Sequence, residues 1–294
     1  MLTEILVELY DLAAANVSSY GGYLLFYIVL SHVIDATIPN SFLDKLCSKE
    51  RGKALDVDKL RQTKRISART SIVASVMAIH VSSLALYGLV LGPKLDFNSE
   101  TPLTRHLVNV AVGFFMWDVL YCWDQGWMFL VHGVAALAVF TGALRPFLHG
   151  MALVTLFYEV STPFLHARKT LIDCNMTQGW GFTIAQYGFA ISFFISRIVH
   201  GLYACCVWWI AMENDMASGA IAPERVPISR MYQCLCLLLS GLNCYWFSLI
   251  ALAVVGKEPG RPRNPTHGES HGENNQKNSG EVPQGMRSRS SGSR

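Results

Sequence analysis

The apolar residues of this chain are grouped in blocks of about 20, the length that an α-helix needs to cross the hydrocarbon core of a bilayer. Backbone hydrogen bonds have to be satisfied internally in that environment, so blocks of this length are expected to form helices. Seven such blocks lie near residues 20–38, 71–92, 107–123, 128–145, 147–166, 181–211 and 231–255. The pattern predicts an all-α membrane protein with about seven transmembrane helices.

Charged residues are scarce, and their scarcity excludes several classes of protein. They make up 15% of the 294 residues, against about 25% in ordinary soluble domains. The mean hydropathy is +0.30. A net charge of +3 does not supply the concentrated basic surface that nucleic-acid binding needs. We therefore expect membrane lipids as partners and no nucleic acid, and we leave self-association between copies of the chain open.

Common catalytic motifs are not found in the sequence. It has no P-loop, no dinucleotide-binding glycine fingerprint, no GxSxG elbow and no HExxH motif. The eight cysteines show no metal-finger spacing with partner histidines. We therefore expect neither a cofactor nor a metal ion.

Basic residues predict how the chain is oriented in the membrane. Residues 39–70 form a predicted loop with nine basic and four acidic residues, which the positive-inside rule places in the cytosol. The predicted loops at 93–106 and 213–230 have no basic excess and are expected on the far side. The loop at 167–179 returns to the cytosol. The N-terminus is then lumenal and the C-terminus cytosolic.

Composition divides the chain into three regions. Residues 1–64 hold a lead-in, the first membrane helix and the basic loop, and residues 65–256 hold the other six apolar blocks. Residues 257–294 contain no Leu, Ile or aromatic residue and are rich in Gly, Ser, Asn, Pro and charge. Such a stretch cannot bury enough apolar surface to order itself, so we expect a disordered cytosolic tail.

Ionisable residues within the apolar blocks are the candidates for a functional site. A charge at the bilayer centre costs about 2.5–3.5 kcal/mol, so it is retained where it faces protein or a water-filled cavity. Glu159 and Arg197 are the obvious ion-pair partners, and such a pair would join the fifth and sixth predicted helices. The polar residues at these positions are Asp35, Asp118, Glu159, Arg197, His32, His80, His132 and Asn243.

The surroundings of Glu159 predict further polar contacts. Thr155 and Thr162 lie one turn before and just after it, so their hydroxyl groups are expected to reach the carboxyl group. Pro163 removes one backbone N–H and predicts a bend or a cavity. The sixth apolar block is unusually long, so we expect that it either tilts strongly in the membrane or bends near Gly201.

Other polar residues leave their roles open. An imidazole at His132 can act as a base, as a nucleophile or as a hydrogen-bonding group of the core. Asn243 shares a helix face with Ser240 and Phe247, where its amide either bonds across helices or meets a lipid head group. Asp118 either takes part in a site or extends from the end of the third helix toward water.

Four segments of the chain resemble the TLC-domain family, which includes the ceramide synthases. They are VHGVAALAVFTGALRPFLHGMALVTLFYEVSTPFLHARKTL, GFFMWDVLYCW, FFISRIVHGLY and LNCYWFSLI. The resemblance extends over about residues 65–256, and the run E-x-S-T-P-F-L-x-x-R at 159–168 is its most specific part. It implies a helix bundle around a lipid-accessible cavity in the endoplasmic reticulum or another endomembrane. The polar residues assigned to the cavity or to structural contacts are Asp118, Ser161, Thr162, Arg168, Arg197 and Asn243.

The chain departs from the ceramide synthases at the residues that carry their chemistry. Ceramide synthases have adjacent histidines where this chain has His132 followed by Gly133. They have a His-Asp pair where this chain has Tyr158 and Glu159, and a second Asp where it has Thr162. Acyl transfer needs a base or nucleophile and a second group that orients it, so these departures argue against classical ceramide synthase activity.

Three hypotheses for function follow. The first is a non-enzymatic protein that binds or senses acyl lipids and contributes to membrane lipid homeostasis. The alternative is an acyltransferase with His132 and Glu159 in its catalytic site, which moves an acyl chain from acyl-CoA, its co-substrate, to a lipid amine or hydroxyl. The third is a cargo receptor or translocation accessory that contacts its partner through residues 39–70 or through the tail.

Overall fold

The computed structural model describes residues 2–48, 50, 56–92, 100–123, 126–145 and 148–254, and within these ranges it contains helices and no strand. The predicted all-α membrane fold is confirmed. The predicted disordered tail at 257–294 lies outside the described residues. The helices are α1 (Leu2–Ala15), α2 (Val17–Thr37), α3 (Asn40–Leu46), α4 (Val57–Val90), α5 (Pro102–Cys122), α6 (Trp127–Gly142), α7 (His149–Leu156), α8 (Thr162–Asp173), α9 (Trp180–Phe193), α10 (Gly201–Ala217) and α11 (Val226–Val254).

Irregular segments join some of these helices into longer rods. A 3₁₀ turn over Phe157–Ser161 connects α7 directly to α8. A π-helical segment over Phe194–His200 connects α9 directly to α10. A short 3₁₀ turn over Pro223–Arg225 leads into α11. The first two of these segments each lie within a rod and interrupt the regular α-helical hydrogen bonding inside an apolar block.

The seven predicted apolar blocks each coincide with a helix or rod of the structure. Their lipid-facing character is visible in exposed apolar side chains such as Leu25, Ile79, Ile184 and Ile210. The count of seven membrane crossings stays a prediction. Length and hydropathy mark four described stretches as candidate membrane spans, namely Val17–Thr37, Val57–Val90, Trp180–Ala217 and Pro223–Val254.

The prediction of a loop over residues 39–70 is wrong, because most of its described residues are helical. Helix α3 occupies Asn40–Leu46, and α4 begins at Val57. Asp56 starts α4, since its carboxylate accepts hydrogen bonds from the backbone N–H groups of Asp58 and Lys59 at 3.0 Å. The domain boundary proposed between residues 64 and 65 consequently falls within α4, and the domain division stays a prediction.

Basic side chains at the start of α4 form ion pairs with neighbouring helices. Lys64 is buried and pairs with Glu50 at 2.9 Å and with Asp173, the last residue of α8, at 3.1 Å. Arg69 pairs with Asp35 of α2 at 2.6 Å. The residues whose positive charge predicts the orientation of the chain are thus also used to hold α2, α4 and α8 together.

Helix α5 lies inside the bundle and contacts several other helices. Its side chains Leu107, Ala111 and Trp117 are completely buried. At Gly113 the backbone of α2 approaches so closely that an added Cβ atom would lie 2.8 Å from the backbone nitrogen of Leu24. Small residues allow this kind of close approach between helices in membrane proteins.

Three exposed tryptophans stand at helix ends. Trp123 follows α5, Trp127 begins α6 and Trp180 begins α9, with exposed fractions of 66%, 72% and 83%. Tryptophan is enriched where a membrane protein meets the lipid head groups. The positive-inside rule predicts all three positions on the cytosolic side, so the aromatic and the basic residues indicate the same interface.

Candidate functional site: a buried arginine cluster beside an apolar cavity

Arg197 lies in the π-helical segment Phe194–His200, between α9 and α10. Its side chain is only 7% exposed. Each N–H group of a buried guanidinium needs an acceptor within the protein, because leaving it without one is costly. π-Helical turns are rare and occur frequently at functional sites. The irregularity expected near Gly201 is thus a π-helical stretch that ends directly before that residue.

The 3₁₀ turn opposite Arg197 results from Pro163. In a regular α-helix the carbonyl of Glu159 would accept from the N–H of residue 163, but proline has none. The N–H of Thr162 bonds to the Glu159 carbonyl instead. This shift releases the carbonyl of Tyr158, which accepts a hydrogen bond from Nε of Arg197 at 3.2 Å.

The guanidinium of Arg197 makes three further contacts. Its Nη2 lies 3.1 Å from Oε1 of Glu159, which forms the ion pair expected between these residues. Its Nη1 donates to Oδ1 of Asn243 in α11 at 3.3 Å, and its Nε lies 3.4 Å from Oγ of Ser161. We call Arg197, Tyr158, Glu159, Ser161 and Asn243 the arginine cluster. It joins the two irregular segments to α11.

The second carboxylate oxygen of Glu159 is also engaged. Thr162 donates its hydroxyl to Oε2 of Glu159 at 2.7 Å, as predicted. The prediction of a similar contact from Thr155 is wrong, because that hydroxyl bonds to the carbonyl of Met151 at 3.1 Å in its own helix. Both oxygens of the carboxylate therefore have donors, and the charge of Glu159 is balanced by that of Arg197.

His132 lies in α6 among aromatic side chains rather than in the arginine cluster. Its ring packs edge-on against Trp246 and Phe115, with ring centroids 5.6 Å and 6.3 Å away. Its Nδ1 is buried and has no hydrogen-bond partner among the described residues. No hydrogen bond joins it to Arg197 or Glu159 among the described contacts.

Asp118 and Arg168 lie apart from the arginine cluster. Asp118 faces α6 at Gly133, where an added Cβ atom would lie 3.0 Å from its Oδ2. Arg168 lines a separate cavity of about 220 Å³ with Gln186 and Ile250. Asp118 was grouped with the others by its polarity in an apolar block, and Arg168 by its place in the run at 159–168 that resembles the TLC-domain family. Neither criterion specifies the direction in which a side chain points.

An apolar cavity of about 60 Å³ adjoins the arginine cluster. It lies between α6, α7, α10 and α11. The described residues include no cluster of three metal-binding side chains there or elsewhere. Its wall includes Phe140, Leu148, Met151 and Leu239. Tyr158 and Asn243 belong to both the wall and the arginine cluster. A group that enters the cavity would therefore lie beside the cluster.

Sequence reasoning assigned no role to some of the polar residues in this wall. The sulfur of Cys205 lies 3.9 Å from the hydroxyl of Tyr158 and accepts from the hydroxyl of Ser240 at 3.8 Å. Trp208 is also part of the wall. A cysteine or a tryptophan in an apolar helix gives no signal in the sequence that distinguishes a cavity wall from ordinary packing.

Replacement of Thr162 by valine is expected to lower the free energy of unfolding by about 1–3 kcal/mol, since the variant leaves one oxygen of a buried carboxylate without its donor. Thermal unfolding of the purified protein in detergent measures the effect. Thr183→Val is the matched control, because that exposed hydroxyl only bonds to a carbonyl of its own helix. Equal unfolding temperatures of the two variants would contradict the prediction.

Comparison with known protein families identifies one match. The family model described as the TLC domain matches residues 67–252, which is well over half of the chain. Comparisons with the curated proteins and with the solved structures found no match. The matched range contains the complete arginine cluster, His132 and the apolar cavity. This chain, an all-helical membrane protein, belongs to the TLC-domain family.

Proposed function

We propose that this protein binds or senses acyl lipids within its helix bundle and so contributes to membrane lipid homeostasis, in the endoplasmic reticulum or a related endomembrane. The observation that carries the proposal is the apolar cavity beside the arginine cluster. Small-molecule sites are typically apolar concavities with a few placed polar groups. The cavity combines a mainly apolar wall with polar residues of the arginine cluster, which suits an acyl chain that ends in a polar group.

The contacts of Glu159 favour binding over catalysis. Its two carboxylate oxygens are engaged by Arg197 and Thr162. A carboxylate held in this way is not free to orient His132, and acyl transfer with histidine as base needs an orienting group. In the proposed function Glu159 is a structural residue that neutralises Arg197.

Co-purification of lipid tests the proposal. Full-length protein is extracted in a mild detergent, and the bound lipids are identified by native mass spectrometry. Leu239→Trp, which fills the cavity, is expected to lower the retained acyl lipid about tenfold, because overpacking an occupied site costs at least ~1.4 kcal/mol. Leu238→Trp is the control, since this neighbouring side chain is exposed and does not line the cavity.

Two outcomes would overturn lipid binding at this site. The first is folded wild-type protein that retains no acyl lipid under conditions that preserve its unfolding temperature. The second is Leu239→Trp protein that retains as much acyl lipid as Leu238→Trp. In the second case lipid binding elsewhere on the protein would be the remaining interpretation.

A second candidate function is acyl transfer, and one observation favours it. The Nδ1 of His132 is buried and has no hydrogen-bond partner among the described residues, so no structural contact engages it. In this function His132 acts as base or nucleophile toward acyl-CoA, and the acceptor is a lipid amine or hydroxyl. Glu159 would then have to give up its contacts with Arg197 and Thr162 before it could contact the acceptor or His132.

An acyl-transfer assay separates the two functions. Labelled long-chain acyl-CoA is incubated with sphingoid and lysolipid acceptors, and products are read by mass spectrometry. Acyl transfer predicts a product with wild type that falls about 100-fold or more in His132→Ala, the effect of removing a general base. His166→Ala is the control, because its buried Nδ1 also has no partner among the described residues.

A further inference from the structure

The wall of the apolar cavity contains no charged side chain. Arg197, whose partners Tyr158 and Asn243 belong to the wall, already donates to Glu159, Tyr158, Ser161 and Asn243. A charged group that entered the cavity would lose its hydration and find no counter-charge, which is strongly unfavourable. The wall therefore selects an uncharged occupant.

Several polar groups of the wall already have partners. The hydroxyl of Tyr232 donates to the carbonyl of Val139 at 2.9 Å. The hydroxyl of Thr155 donates to a carbonyl of its own helix. The amide oxygen of Asn243 accepts from Arg197. The two hydroxyl groups are thus committed to backbone carbonyls, and the amide oxygen of Asn243 is committed to Arg197.

Trp208 is different, because its indole N–H is buried without a partner. The side chain is 3% exposed and belongs to the cavity wall. Its Nε1 has no hydrogen-bond partner among the described residues. An indole nitrogen is a donor only, so the partner that is missing has to be an acceptor. Water is a poor candidate, because a buried water needs two to four polar partners and this wall is predominantly apolar.

We propose that the cavity receives the carbonyl oxygen of an uncharged acyl lipid, an ester or amide, as the acceptor for the Trp208 indole. The proposal rests on the lipid-binding function proposed above and names the class of lipid. The volume of about 60 Å³ holds only a few water-sized groups, so it accommodates the carbonyl and adjacent methylenes. The remainder of the acyl chain has to lie outside this volume.

Photocrosslinking with matched lipid probes tests this proposal. Full-length protein in phosphatidylcholine nanodiscs is exposed to three diazirine probes of equal chain length: an uncharged fatty amide, a hydrocarbon without oxygen and an ionised fatty acid. Intact-protein mass spectrometry measures labelling. We expect the amide to label wild type about fivefold more than either other probe, the effect of one hydrogen bond.

Variants at two adjacent tryptophans assign the effect to one indole. Trp208→Phe removes the N–H and keeps an aromatic ring, so amide labelling is expected to fall about fivefold to the hydrocarbon level. Hydrocarbon labelling should not change. Trp209→Phe is the control, because Trp209 does not line the cavity. The comparison of probes on wild type needs no variant and remains decisive if Trp208→Phe does not fold.

Each failure of this experiment has a distinct meaning. Equal labelling of wild type by amide and hydrocarbon, or amide labelling that survives in folded Trp208→Phe, overturns the hydrogen bond but leaves lipid binding intact. Stronger labelling by the fatty acid than by the amide overturns the selection for an uncharged group. If no probe labels folded wild type, the proposed function fails, and this inference fails with it.

Discussion

Replacement of Arg197 by methionine is expected to lower the free energy of unfolding by about 3–5 kcal/mol, the cost of breaking a buried ion pair from one side. The variant leaves the carboxylate of Glu159 buried without its cation and removes the donor to the Tyr158 carbonyl. It also removes the contact with Asn243 in α11. Thermal and denaturant unfolding in detergent, followed by near-ultraviolet circular dichroism, would measure the loss.

An exposed ion pair supplies the control for this prediction. Arg230 pairs with Glu213, and both side chains are considerably more exposed than Arg197 and Glu159. Arg230→Met should therefore cost about 0–1 kcal/mol. If Arg197→Met cost no more than Arg230→Met, the arginine cluster would not be a major source of stability.

A double variant separates the loss of contacts from the burial of a lone charge. Arg197→Met combined with Glu159→Met removes both charges, so it should be less destabilising than Arg197→Met alone. Replacing both members of a buried pair is often close to neutral, whereas removing one member leaves an uncompensated charge. A double variant as unstable as the sum of the two single variants would show that the two residues are not energetically coupled.

Replacement of Gly113 by leucine is expected to be at least as damaging, with a loss of roughly 3 kcal/mol or more. An added Cβ atom would lie 2.8 Å from both the backbone nitrogen of Leu24 and Cβ of Tyr23, so α2 and α5 would have to separate. Backbone atoms cannot rotate away as the end of a flexible side chain can. The fraction of protein that stays monodisperse after heating measures the effect.

Gly22 provides the matched glycine control in α2. An added Cβ atom there meets no atom within 4 Å. Gly22→Leu should therefore be neutral, or stabilising by up to about 1 kcal/mol, because leucine has the higher helix propensity. If Gly113→Leu unfolded at the same temperature as Gly22→Leu, the close packing of α2 on α5 would not be required.

The arginine cluster was largely predictable because charge inside a membrane is costly. A buried arginine and a glutamate in neighbouring apolar blocks have to find partners, so the pair of Arg197 and Glu159 follows from their positions. The same reasoning identified Thr162 and Asn243 as polar residues in this region. It failed for Thr155, because a hydroxyl group in a helix has an alternative acceptor in the carbonyl of the preceding turn.

The cavity and its polar wall were not predictable, since no energetic cost marks their residues in the sequence. Trp208 and Cys205 are ordinary in apolar helices, and the space beside them depends on how four helices pack. The helical structure of residues 40–46 and of the start of α4 was missed for a related reason. The many charged residues there were interpreted as a sign of chain orientation, and the capping role of Asp56 was not recognised.

The two irregular segments have a consequence for the order in which the bundle assembles. Each rod enters the membrane as a separate segment, and in lipid an isolated carbonyl or guanidinium has no water to bond with. The carbonyl of Tyr158 accepts from Ser161 in its own turn and from Arg197 in the other rod, and Arg197 obtains its acceptors from the first rod and from α11. The guanidinium of Arg197 therefore gains its acceptors only when the rods lie side by side. Docking of the two rods and burial of the guanidinium are therefore coupled events.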